Sequence, residues 1–174
     1  PARKIPPPPP GPPSPPTPPP PGGPPPPPPP AVAMRAHAPP PARDVVAFLS
    51  NTSPSAPDGA LLLEIVHDWS DDKLEHHHGY IQWLFPNGYK SAFNSCAPVP
   101  TAYEVELVGT DLALRSAYLH GFRRILSFWG FCLRDGRVVR STNWEARFAN
   151  LRDHEHNFLR ITRVLTSLAL FVCR

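Results

Sequence analysis

Cysteine is scarce in this chain of 174 residues: Cys96, Cys132 and Cys173 are scattered, odd in number and form no CxxC pair. That argues against a disulfide framework or a cysteine-rich zinc site and fits a reducing compartment. Long apolar runs are missing as well. The most apolar stretch, Val164 to Cys173, is interrupted by Thr166 and Ser167, and it is about half as long as the roughly 20 residues a bilayer span needs. It reads as a core helix, and no transmembrane span is expected. No GxSxG elbow, Walker loop or HExxH motif occurs, and the cysteines lack an activating partner in sequence; the expectation is a protein that binds and does not catalyse. No basic segment leads into an apolar run of the signal-peptide type. The chain opens on Pro1 rather than methionine, the pattern of a piece of a longer protein.

Proline is abundant but confined. Of 29 prolines, only Pro54, Pro57, Pro86, Pro98 and Pro100 lie beyond Pro41. Proline fixes φ and lacks an N–H, so such a run joins no helix or ladder and settles into solvated polyproline II. The expectation is a disordered polyproline arm over residues 1–42 and a single compact multi-helix domain, all-α, over 43–174. At about 3.1 Å per residue the arm would hold a partner away from the domain or offer ligands to SH3, WW or EVH1-type grooves; a plain spacer explains it equally well.

Within the domain, hydrophobic spacing predicts about five to seven helices. Ala42 to Ser50 suits a short helix. Leu61, Leu62, Ile65, Val66 and Trp69 form a face of a helix over 60–69, and Leu74, His78, Ile81 and Phe85 form a stripe of another from Asp72 to Phe85. Pro86-Asn87-Gly88 breaks the chain, and 89–99 reads as a loop. Thr101 and Glu104 have the spacing of a capping box for a short helix ending near Gly109. Thr110 is then expected to cap the clearest helix, with Leu114, Tyr118, Phe122, Ile125, Leu126 and Trp129 on its apolar face and Gly130 as its left-handed terminator. Asp135-Gly136 reads as a turn, a brief extended or hairpin piece fits around Val138-Val139, and Thr142-Asn143 suits the cap of a short helix to Asn150. Asp153 is expected to cap the last helix. There Phe158, Ile161, Leu165, Leu168 and Val172 read as the core stripe, with His156, Arg160, Arg163 and Ser167 on the opposite side, the arginines left outside.

Charge is divided along the chain. Beyond residue 119 ten arginines stand against four acids, while the earlier part holds seven bases and ten acids. A solvated face plus complementary packing between the halves is the simpler explanation; a face for phosphate or a peptide carboxylate, best supplied by His156, Arg160 and Arg163, is the functional one. His76, His77 and His78 invite a metal reading, but consecutive helical residues point about 100° apart and cannot share one tetrahedral ion. No metal or cofactor is expected. Tyr80 and Trp83 suit core aromatics with satisfied tips, with Gln82 bonded to the backbone, or, functionally, a ring surface that receives the tyrosine and phenylalanine of a peptide.

Two stretches carry a resemblance. Tyr80-Ile81-Gln82-Trp83-Leu84-Phe85-Pro86, with His78 two residues before it, is one. The other comprises Asn143-Trp144, Arg147-Phe148, Asn150-Leu151, His156-Asn157, Leu159 to Leu165 and Ser167-Leu168. With Tyr118, Phe128 and Gly130 between them, and Pro57-Asp58-Gly59 and Trp69 upstream, the pattern resembles the conserved domain of the opioid growth factor receptor family over residues 47–172. The resemblance implies a receptor for the pentapeptide met-enkephalin, unrelated to the seven-helix opioid receptors, acting in growth regulation, intracellular and associated with the nucleus or perinuclear membrane. Fold likeness alone does not carry function. On this reading the ligand-contacting candidates are His78, Tyr80, Gln82, Trp83, His156, Asn157, Arg160 and Arg163. A zwitterionic peptide needs a carboxylate for its amine, from Asp68, Asp71, Asp72 or Glu75, and a cation for its own carboxylate, from Arg160 or Arg163. The competing reading is an intracellular scaffold or nucleic-acid-associated module that uses the proline arm and an arginine face.

Overall fold

A computed structural model describes residues 44–172. The expected proline arm, with its SH3, WW or EVH1 ligands, lies outside the described residues, as does Cys173.

The chain enters the core through α1 (Val45–Leu49), whose N-terminus is capped by Asp44 and which buries Val45, Phe48 and Leu49. Glu104 Oε2 closes the expected capping box with Thr101 at the start of α4 (Ala102–Thr110), and Oε1 accepts from the Val45 N–H at 3.0 Å. One carboxylate thus serves two helix starts, each of which has free N–H groups. The segment expected to be helical over 60–69 forms mainly a π-helical turn, Glu64–Asp68, with Leu62, Ile65 and Trp69 in the core.

The helix expected from Asp72 to Phe85 is instead two, α2 (Asp71–His76) and α3 (Ile81–Leu84). Its interruption has a cause. A continuous helix would use the Glu75 and His77 carbonyls for the N–H groups four residues on, but both carbonyls accept from Arg160 Nη2, at 3.0 Å each. Asn94 Nδ2 holds the Gly79 carbonyl in the same way, at 3.0 Å. The side chains of the expected helix are therefore redistributed. Tyr80 and Trp83 are fully buried, whereas His78 is exposed.

α5 (Leu112–Phe128) buries the expected face, Leu114, Tyr118, Phe122, Ile125 and Leu126, and Gly130 beyond it is left-handed at φ 87°. Its cap is Asp111, not Thr110. The Asp111 carboxylate accepts from the N–H groups of Ala113 and Leu114 at 2.8 and 3.0 Å, where negative charge meets the positive end of the helix. The Thr110 hydroxyl turns back to the Glu106 carbonyl and finishes α4. β1 (Phe131–Arg134) and β2 (Arg137–Arg140) then pair antiparallel across a turn whose residues, Asp135 and Gly136, both have positive φ, the combination a tight hairpin requires. The expectation of an all-α domain is corrected accordingly: the domain is mostly helical with a two-stranded sheet. α6 (Trp144–Asp153) follows, and Asp153 closes it in a pair with Arg152 rather than capping α7 (His156–Phe171).

α7 overturns the expectation most sharply. Its buried residues are Asn157, Arg160, Val164, Ser167 and Phe171. Phe158 and Leu165, expected in the core, are 54% and 61% exposed, while Arg160, expected outside, is 4% exposed. Ile161, Leu168 and Val172 pack only partly against the interior. The inversion is affordable in energy because every buried polar group on that face has partners. Ser167 Oγ accepts from the Tyr118 hydroxyl at 2.8 Å and donates to the Pro86 carbonyl at 2.7 Å, and Arg160 is held as described above. Among the described residues no helix is long and apolar enough to cross a membrane.

Candidate functional site: an amphipathic cleft beside the last helix

The buried polar side of α7 is organised around Glu75. Its Oε2 accepts from Asn150 Nδ2 at 2.7 Å and from Asn157 Nδ2 at 3.3 Å. Its Oε1 faces His156 Nε2. Burial alone would push the Glu75 carboxyl up, but the two asparagine amides and the positive charges of His156 and Arg160 together hold it below its ordinary value. Arg160 completes the cluster. Besides the two carbonyls, it donates to Asn157 Oδ1 at 3.3 Å and meets His78 Nδ1 at 3.4 Å. A guanidinium accepts nothing, so His78 Nδ1 is the acceptor, and the proton of the neutral imidazole sits on Nε2. Although the residue is exposed overall, partial burial of its ring and then the Arg160 charge hold His78 below its ordinary value, favouring that neutral form.

On the outer side of this cluster a cleft of about 450 Å³ opens between α3, the loop after it and α7. His78, Gln82, His156, Arg160 and Arg163 line it, and Ile81, Tyr89, Phe93 and Leu159 supply apolar surface. Tyr89 and Phe93 stand 67% and 78% exposed on the loop, unusual positions for large aromatic rings with nothing over them. Thr162 and Thr166 fill out the wall from α7, and Asn87 from the turn after α3. Two acceptors remain unused here: Gln82 Oε1 and Asn87 Oδ1 are buried without a hydrogen-bond donor. Arg163 is half-buried, donates to the Phe85 carbonyl at 3.1 Å, and burial lowers the pKa of its guanidinium.

Five of the eight residues singled out from the sequence therefore converge on one wall, from segments almost 80 positions apart. The other three do not reach it. Tyr80 and Trp83 are core aromatics, Trp83 Nε1 donating to the Ala56 carbonyl at 2.8 Å, and burial raises the pKa of the Tyr80 hydroxyl. Asn157 is fully buried between Glu75, Arg160 and Trp129. None of Asp68, Asp71, Asp72 and Glu75, the carboxylates expected for a peptide amine, lines the cleft. Asp71 is paired with Arg124 at 2.9 Å and Arg147 at 3.5 Å, so complementary packing between the acidic and basic halves accounts for part of the charge division. Sequence reasoning missed Tyr89 and Phe93, which lie in a segment without periodicity. Leu159, Thr162 and Thr166 were within reach, since with Arg163 they repeat at the three- and four-residue spacing of one helix face.

The class these features define is a mostly helical domain with an open cleft that mixes aromatic rings, arginine and unused acceptors. The family model for the opioid growth factor receptor conserved region matches residues 42–173, and the chain belongs to that family. Opioid growth factor receptor-like protein 1 of Rattus norvegicus is 43% identical over 126 residues, 70% of this chain and 27% of its own length. The same-named protein of Xenopus tropicalis is 40% identical over 125 residues, 70% of this chain and 24% of its own length. The opioid growth factor receptor of Homo sapiens is 37% identical over 128 residues, 71% of this chain and 19% of its own length. The chain thus spans roughly a quarter or less of these curated relatives. No solved structure matches it.

Proposed function

We propose that this domain binds a short aromatic peptide of the opioid growth factor type in the cleft between α3 and α7. The observation that carries the reading is the convergence of His78, Gln82, His156, Arg160 and Arg163 on one cavity together with exposed Tyr89 and Phe93. Rings of that kind receive tyrosine and phenylalanine side chains with little loss of rotamer freedom. The names of the relatives, as receptors for an opioid growth factor, point to the same ligand class. The peptide carboxylate is assigned to Arg163, because the Arg160 guanidinium is already committed to backbone carbonyls and Asn157. The amine is assigned to Gln82 Oε1 and Asn87 Oδ1, the acceptors that have no donor. The role is binding without a chemical step, and growth regulation at the nucleus or perinuclear membrane is part of the same proposal.

Calorimetric titration with met-enkephalin tests it. Binding is expected, weakened at least about tenfold by amidation of the peptide C-terminus or by Arg163→Glu, a loss of about 1.4 kcal/mol. Failure of the peptide to bind the folded domain, or affinity indifferent to both changes, overturns the reading. The alternative of a nucleic-acid module has less support, since Arg124, Arg147 and Arg160 are taken up by internal contacts. A steep fall of RNA or DNA affinity with salt would favour it.

A further inference from the structure

Three side chains from two distant segments come together beside the cleft, where His156 forms part of its wall. Glu75 lies in the last turn of α2, His154 occupies the junction of α6 and α7, and His156 opens α7; each offers one ligand atom, and these atoms lie within 4.8 Å of one another. From this juxtaposition we propose that Glu75, His154 and His156 bind a zinc-class divalent transition-metal ion. The inference goes beyond peptide binding and does not depend on it.

The donor set is suited to such an ion. Two imidazoles and one carboxylate form a three-protein-ligand zinc site that leaves a fourth position for water or another ligand. Imidazole selects zinc-class ions over calcium and magnesium, which need several oxygen ligands. Glu75 is also oriented as a metal ligand should be. Asn150 holds its Oε2 at 2.7 Å and Asn157 reaches Oε2 and Oε1 at 3.3 and 3.5 Å, with Oε1 turned toward His156, and outer partners of this kind fix a ligand's orientation.

The contact between two of the three side chains supports the site. His156 Nε2 is buried in ion-pair contact with Glu75 Oε1, outside hydrogen-bond geometry. An imidazole nitrogen and a carboxylate oxygen held face to face are two of the donors a zinc-class ion takes, and one ion would bind both. His154 is exposed and its ring lies 5.6 Å from that of His156, centroid to centroid. Ligand atoms on a tetrahedral zinc ion with bonds of about 2.0–2.1 Å lie roughly 3.3 Å apart, so the site closes when the exposed His154 side chain changes rotamer and His156 Nε2 draws back slightly from Glu75 Oε1. Sequence spacing concealed it. The run His76-His77-His78 draws attention to itself, whereas the residue that matters is its neighbour Glu75, joined by histidines 79 and 81 positions later.

Zinc alone, titrated calorimetrically into the full chain, tag-free and treated with EDTA, tests the proposal without any peptide. One equivalent is expected to bind, His154→Ala and His156→Ala each weakening it at least about tenfold and Asn150→Ala by about 10–100-fold through release of Glu75. Zinc should raise the melting temperature of the native chain and not that of His154→Ala, and cobalt should give the visible absorption of a four-coordinate ion. Calcium and magnesium should not bind. His154 is exposed, so His154→Ala keeps its circular dichroism spectrum and reports on the site and not on folding. Absence of zinc binding, equal binding by both histidine variants, or loss of binding in a His76→Ala/His77→Ala double variant overturns the proposal.

Discussion

Arg160 Nη2 donates to the Glu75 carbonyl at 3.0 Å across 85 positions of sequence. The same nitrogen reaches the His77 carbonyl, so the middle of α7 is fastened to the end of α2 by a charged donor that replaces helical hydrogen bonds. A buried charge is stable only when its hydrogen-bonding capacity is used, and here it is spent on the backbone turn that breaks one helix into two.

Replacing Arg160 with methionine keeps much of the volume but strands two carbonyls. Since each unsatisfied buried group costs about 1–3 kcal/mol, the variant should lose about 3 kcal/mol in urea denaturation. Lysine, a point charge without the planar fork, should recover only part of that. A loss under about 1 kcal/mol for methionine would mean the tie has little structural weight.

The inversion of α7 is tested by neighbours. Val164 is 2% exposed and Leu165 61%. Val164→Asp should unfold the domain or cost more than about 4 kcal/mol by burying an unpaired charge, while Leu165→Asp should stay within about 0.5 kcal/mol. Far-UV circular dichroism and melting of the two variants decide it, and the opposite ranking would put the expected apolar stripe back in the core.

Gly130 has φ 87°, and a Cβ there would meet Trp144 Cα at 3.0 Å and its carbonyl oxygen at 3.2 Å. Backbone cannot retreat as a side-chain tip can. Gly130→Ala should therefore cost about 2–3 kcal/mol, combining left-handed strain with overpacking. A melting temperature equal to that of the native chain would show that the hairpin and α6 shift freely.

Acid should weaken the fold in two stages. His78 sits below its ordinary value of 6.5 in the folded chain, so the unfolded chain binds more protons as the pH falls past 6.5 and stability drops. Glu75 sits below its ordinary value of 4.5; its contribution is present above 4.5 and is lost as pH falls through the lowered folded value. Melting temperature in chelator-containing buffer should decline from pH 7 to 4, and His78→Gln should remove the upper stage alone. An upper stage that survives His78→Gln would assign it to another group.

Periodicity was sufficient for α5 because its apolar face is wide and continuous, and for the capping box of α4 and the Asp135-Gly136 turn because each is a local arrangement of a few residues. The motifs that mark the family were legible for the same reason. The face of α7 was not, because apolar residues lie on both sides of that helix and the choice between them is made by partners far away in sequence.

The sequence by itself determined a mostly helical domain, its main amphipathic helix, its hairpin turn and its family, since these depend on contacts within one or two turns of chain. Only the tertiary structure decided that Arg160 and Ser167 are interior while Leu165 is not, that Tyr89 and Phe93 rim a cleft, and that Glu75 meets His154 and His156. Each of those outcomes is fixed by polar groups finding partners about 80 positions away, or by a loop lying against a distant helix, and no local pattern of apolar residues encodes that choice.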